Sequence, residues 1–196
     1  VKRLRRFTSA LKDRNPISMR PLRLNDLASE GEILRRIYNE AWQDNWGFVP
    51  FTREEFDYMA RELKPIAIPD LTLIAEVNGE PAGFVLVLPD IHAALRHVKN
   101  GRLTTFGLPI GLAKLLYHKR RLKRMRLVAL GVVPKYRRAG IAERLVLRTI
   151  ETGALERHYF GECSMTLENN ILVNRFLEAI GADRYKTYRI YSRKLA

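Results

Sequence analysis

At 196 residues, 46% of them hydrophobic and including eight Phe, eight Tyr and two Trp, the chain has the size and core material of one folded domain, which excludes two large domains and global disorder. No stretch approaches the roughly 20 apolar residues of a membrane span and the N-terminus lacks the apolar centre of a signal peptide, so a soluble, cytoplasmic protein is expected. The net charge of +14 is clustered, with +6 on residues 1–20, +7 on residues 114–126 and −8 on residues 24–90, so the chain has an acidic front and two basic patches.

The chain begins with Val1, which points to processing or to a longer parent. Residues 1–16 read as a basic leader or the remnant of an upstream segment, with Leu4, Phe7 and Leu11 at helical spacing and Asn15-Pro16 as its end. A short strand over 17–22 follows. Asn25 is placed to cap a helix over 26–42, whose apolar positions Leu27, Ile33, Leu34, Ile37 and Ala41 share one face. A second helix starts at the capping box Thr52-Arg53-Glu54-Glu55 and ends before Pro65. The apolar runs 71–77 and 83–88, joined by Asn78-Gly79, predict an antiparallel hairpin. Helices are expected over 90–98 and 107–121, a strand over 126–133, a helix over 139–155, a strand over 161–167, a helix over 170–180 and a last strand over 184–193. The order β-α-α-β-β-(α-α)-β-α-β-α-β describes a mixed α/β sheet flanked by helices.

Chemistry concentrates in Leu130-Gly131-Val132-Val133-Pro134-Lys135-Tyr136-Arg137-Arg138-Ala139-Gly140-Ile141-Ala142. A strand runs into a turn of small residues and a helix opens directly behind it. Crowded backbone N–H groups and the positive end of the helix make a cradle for a pyrophosphate, and Gly140 and Ala142 leave the anion room to approach. Neither a P-loop lysine pattern nor G-x-G-x-x-G is present, which removes support for nucleotide hydrolysis and dinucleotide cofactors. The single Cys163 and four scattered histidines offer no metal-ligand spacing, and no metal is expected.

With Arg137-x-x-Gly140-x-Ala142 following Val132-x-Pro134, the chain resembles the GCN5-related N-acetyltransferase (GNAT) superfamily. Over residues 17–195 it looks like a bacterial N-acyltransferase-like group, marked by Trp42-Gln43-Asp44-Asn45-Trp46-Gly47-Phe48-Val49-Pro50 and by Tyr185-Lys186-Thr187-Tyr188-Arg189-Ile190-Tyr191. Members of that group are about twice as long, with this part at the C-terminal end. The resemblance implies a GNAT fold with a mostly antiparallel sheet, residues 17–196 forming one acyltransferase domain. It also implies transfer of an acetyl or other acyl group from acyl-CoA to a small-molecule or peptide amine, by direct attack in a ternary complex. Leu130, Gly131 and Val132 would then pair their backbone with the pantetheine arm. Arg137, Arg138, Ala139, Gly140, Ile141 and Ala142 would hold the pyrophosphate, and Asn170 matches the family's cofactor-contacting asparagine.

Two departures from the family pattern stand out. The general-acid tyrosine belongs seven residues after that asparagine, where this chain has Leu177. Tyr185 and Tyr188 on the last strand are substitute candidates, each weighed against a half-buried aromatic in a strand. The candidate base is Glu168, because alternation along 161–167 puts Glu162, Ser164, Thr166 and Glu168 on one polar face, with Cys163, Met165 and Leu167 on the other; the competing role is a cap on the next helix. The second departure is a single closing strand where the superfamily has two, a place that the leader or an upstream half would fill.

Trp42, Trp46 and Phe48, flanked by Asp44, fall where the family places its acceptor loop and suit a cationic amine; a satellite core pinning the loop is the equal alternative. The basic run 114–126 reads as a solvated face, a contact to an anionic membrane or nucleic acid, or a guide for the CoA 3′-phosphate. A non-catalytic binding module using these patches is the competing function, with an upstream domain or a second copy as partner.

Overall fold

The computed structural model describes residues 2–10, 16–155, 160–191 and 193. Five strands form one sheet in the order β1-β2-β3-β4-β5: β1 (Ile17–Pro21), β2 (Leu73–Val77), β3 (Glu80–Pro89), β4 (Arg124–Val132) and β5 (Phe160–Cys163). The first four are antiparallel, and β5 runs parallel to β4. The β2–β3 turn at Asn78-Gly79 has φ of 52° and 82°, the paired left-handed backbone that matches strand twist.

Helices cover both faces: α1 (Lys2–Ala10), α2 (Leu27–Trp42), α3 (Arg53–Leu63), α4 (Ile91–Leu95), α5 (Ile110–Lys119), α6 (Ile141–Leu155) and α7 (Ile171–Ala179). Helix α6 makes the crossover that a parallel β4–β5 pair requires, and packs Ile141 and Leu145 onto Val77, Val85 and Val87. On the opposite face, Leu34 and Ile37 of α2 and Phe56 of α3 bury Ile74 and Phe84. Helix α3 carries the reciprocal capping box at Thr52 and Glu55. Helix α2 begins after a short helical turn over Leu24–Asp26, so Asp26 rather than Asn25 holds the cap position, and no side-chain cap bond forms there.

Beneath α2 lies an ionic knot. Glu30 has a fully buried carboxylate that accepts from Arg20 and Arg23 at 2.7 Å each, and Arg20 also bonds Glu76 at 2.8 Å. Burial pushes the Glu30 carboxyl up, but the two guanidinium hydrogen bonds outweigh it and hold it below its ordinary value.

Several expectations need correction. The 1–16 segment is helical over Lys2–Ala10 and docks on α6, with Leu4 buried and Arg5 2.6 Å from Glu151, so this helix does not supply a closing strand; residues 11–15 lie outside the described residues. The strand expected over 161–167 is Phe160–Cys163, and Met165 is exposed, so the alternation that placed Glu168 on a polar strand face stops at Cys163. No strand forms over 184–191, where every residue is exposed.

Candidate functional site

Strand β4 has two unlike halves. Arg124, Met125, Arg126 and Leu127 pair with β5, and Ser164 N–H donates to the Leu127 carbonyl at 3.2 Å before the chain turns away. Residues 128–132 continue with β3 on one side and, among the described residues, no strand on the other. At the junction the β3–β4 register changes from Val87↔Leu127 to Leu86↔Ala129, leaving Val128 as a bulge. The bulge reverses which face the following side chains take. Met125 and Leu127 face α6, but so do Leu130 and Val132, while Ala129 faces α2. Strict alternation conceals this shift.

The free edge leads straight into the turn. Tyr136, Arg137 and Ala139 N–H groups close onto the carbonyls of Val133, Pro134 and Tyr136. Gly140, buried with φ 72°, then swings the backbone into α6. The N–H groups of Arg138, Gly140, Ile141 and Ala142 have no backbone acceptor among the described residues, so an unpaired edge ends at a positive helix terminus. The side chains of Leu130, Val132, Ala139 and Ile141 pack against the α6-face core, so these residues have only backbone groups to offer a ligand. Arg137 and Arg138 are exposed. Arg137 also ties the turn to α2, donating to the Ala41 carbonyl at 3.0 Å and lying 3.8 Å from Asp44.

Gly131 has a further reason to be glycine: a Cβ there would sit 2.4 Å from Cζ3 of Trp42. Trp42 also stacks on Tyr38, with ring centroids 4.5 Å apart. The aromatic cluster thus anchors the end of α2 to β4 and walls a cleft of about 480 Å³ lined by Tyr38, Trp42, Trp46, Phe48, Phe51 and Leu167, among others. Trp42, Phe48 and Phe51 pack around Tyr38 as a satellite cluster, whereas Trp46 is 70% exposed. Asp44 is not part of this lining; it is exposed and turned to Arg137.

The carboxylate of the cleft is Glu55, which position alone did not single out because its capping-box role accounted for it. The backbone N–H and hydroxyl of Thr52 donate to its Oε2 at 2.9 and 3.0 Å and hold the carboxyl below its ordinary range. Burial pushes the Tyr38 phenol up. Glu168 is exposed and bound to Arg189 at 2.9 Å; its neighbour Leu167 lines the cleft, but Glu168 itself does not. Asn170 caps α7, its Oδ1 accepting from Val173 N–H at 3.4 Å, so Glu168 is not needed as that cap. Tyr185 and Tyr188 are exposed on the irregular tail, and Tyr185 donates to Glu162, whose carboxyl is held down first by its Arg126 hydrogen bond. Burial raises the Cys163 thiol. Among the described residues no group of His, Cys, Asp and Glu is placed to hold a metal ion.

An acetyltransferase (GNAT) family model matches residues 32–181, across the aromatic loop after α2, the β4 edge and the turn at Gly140. The chain belongs to the GNAT family. It is 36% identical to Protein YghO of Escherichia coli over 96% of this chain and 50% of that protein. It is 33% identical to a bacterial ceramide synthase of Caulobacter vibrioides over 91% of this chain and 47% of that one. The chain therefore spans about half the length of the curated relatives it matches. Among solved structures, the aminoglycoside N-acetyltransferase AAC(6')-Iy in complex with CoA superposes with a TM-score of 0.58 at 16% identity, covering 93% of this chain and 98% of that one, a likeness of fold.

Proposed function

We propose that this GNAT domain transfers an acyl group from acetyl-CoA or another acyl-CoA to an amine held in the aromatic cleft. The supporting observation is the backbone edge of residues 128–132, without a partner strand on its β5 side among the described residues, running into the N-terminus of α6, where the N–H groups of Gly140, Ile141 and Ala142 have no backbone acceptor among the described residues. In this reading, residues 130–132 bond the pantetheine arm as a strand would. The helix terminus, with Arg137 and Arg138, holds the pyrophosphate, and Asn170 serves as a further cofactor contact. A backbone N–H at the Val128 bulge donates to the thioester oxygen as negative charge builds on it.

The amine nitrogen attacks the thioester carbon, the C–N bond forms, the C–S bond breaks, and sulfur leaves with the electron pair. Before attack the ammonium must lose a proton. Glu55, kept ionised by Thr52, attracts the cationic acceptor and takes that proton through water. The thiolate is protonated from solvent, since position 177 is leucine. Glu168 and the tail tyrosines have no part in this scheme. The aromatic lining of the cleft, with Glu55 on it, supports an amine with an apolar body as the acceptor.

Calorimetric titration of acetyl-CoA and longer acyl-CoAs at physiological salt tests this reading, salt being needed so that net charge alone does not retain an anion. Saturable one-to-one binding that Gly140→Trp abolishes is expected. A wild-type protein that binds no acyl-CoA would instead support a binding module that has kept the fold, the reading favoured by Leu177 and by the exposed position of Glu168.

A further inference from the structure

Between β3 and β4 the chain makes a long excursion, residues 91–122, that contributes nothing to the cradle. At its far end Thr105 and Leu108 exchange backbone hydrogen bonds of 2.8 and 3.0 Å around a two-residue turn. Both turn residues are left-handed, Phe106 at φ 51° and Gly107 at φ 76°. That backbone is strained for a bulky residue and ordinarily taken by Asn, Asp or Gly. Yet phenylalanine stands there, 98% exposed.

Its surroundings repeat the anomaly. Leu103 and Leu108 beside it are exposed, and α5 is inside out, presenting Leu112, Leu116 and Tyr117 to solvent while Gly111 is buried and His118 stacks on His97 at 3.7 Å. Residues 91–122 contain seven Lys and Arg and no Asp or Glu. One of these, Arg121, lies 4.2 Å over the Tyr117 ring.

A partner for this surface must accept apolar tips and cations together. Nucleic acid answers the cations but not a spike of aliphatic and aromatic side chains, and a protein would have to bring an acidic rim of matching shape. A bilayer with anionic headgroups meets both demands at once. Apolar tips enter the acyl boundary, bases lie at the phosphates, and a Tyr–Arg pair suits the interface between them. At ten residues α5 is about 15 Å long, and among the described residues no helix is long and apolar enough to cross a membrane, so the element lies in the surface plane.

We infer that residues 103–117 form a membrane-docking element that seats on anionic phospholipid, with the Phe106 side chain inserted from the turn apex. This placement is independent of the acyl-transfer reading, since β4 separates the two regions: the excursion leads into Arg124 at its start and the cradle follows Val132 at its end.

The test is co-sedimentation of the purified protein with phosphatidylcholine vesicles, with and without phosphatidylglycerol, at physiological salt. Binding to the anionic vesicles alone is expected, and Phe106→Ser should weaken it by roughly tenfold to a hundredfold, the range for removing one buried aromatic side chain. Met165→Ser removes an equally bare apolar side chain elsewhere and should change nothing. Leu108→Ser replaces Phe106→Ser if circular dichroism shows the latter unfolded. Equal binding by wild type and variants would reduce the effect to net charge and overturn the inference. So would a failure to sediment, tighter retention on duplex DNA at the same salt, or a dimer in solution that Phe106→Ser dissociates.

Discussion

The junction of α2 with β1 and β4 and the excursion between β3 and β4 use similar side chains in opposite ways. At the junction, aromatic rings turn inward, Trp42 lies against Gly131, and buried Glu30 has two arginine partners. In the excursion, apolar side chains turn outward and bases stand without acids in the same segment. The contrast separates two tasks. In the proposed scheme the junction holds a backbone edge and a helix terminus in fixed relation for a long, thin, polyanionic ligand, whereas the excursion carries the proposed docking surface.

Substitutions can break the contrast from either side. The largest expected effect is at the ionic knot: Arg20→Ala leaves Glu30 buried with one partner fewer and should cost about 3–5 kcal/mol in denaturant unfolding. Gly131→Val drives its side chain into Trp42 and should cost roughly 1–3 kcal/mol while narrowing the slot, so acyl-CoA affinity falls with stability. Glu55→Gln keeps a capping-box side chain but removes the charge. Stability should therefore hold while turnover with a cationic amine falls, and a variant with unchanged kinetics would remove Glu55 from the mechanism.

Acid should act on both regions with the same sign. Glu30 has a depressed folded-state pKa, so its stabilisation is present above the unfolded carboxyl value of 4.5 and lost as pH falls below it; Glu30→Gln should flatten the acid limb of the stability curve. His118, lowered first by burial and then by the neighbouring His97, is likewise less easily protonated in the fold. Its stabilisation is present above the unfolded histidine value of 6.5 and lost below it. The smallest expected effect is therefore a loss of amide-exchange protection in α5, read after correction for the intrinsic slowing of exchange in acid, as pH falls below that value, with protection in the sheet unchanged.

Legibility in the sequence followed the range of the interaction involved. Capping-box spacing at Thr52 and Glu55, the Asn78-Gly79 turn and the strand–turn–helix between Val132 and Ala142 were all readable, because each is settled by residues within a turn or two of one another. The Val128 bulge was not, since it exists only as a mismatch between β3 and β4. Glu168 shows the same limit: its assigned strand face required β5 to continue to Leu167, and strand length depends on a neighbour's edge. Glu55 was assigned its local role and not its place in the cleft, because that place is created by Leu167 approaching from more than a hundred positions away in the chain.

By itself the sequence determined the α/β order from β1 to α7, the charge segregation and the strand–turn–helix motif between Val132 and Ala142, all of which rest on backbone preference and short-range spacing. Only the tertiary structure decided that the β5 side of β4 has no partner strand beyond Leu127 among the described residues, that Trp42 meets Gly131, and that the apolar face of α5 points outward. Amphipathic periodicity says that a helix has two faces. Which of them is covered depends on what the rest of the chain brings against it.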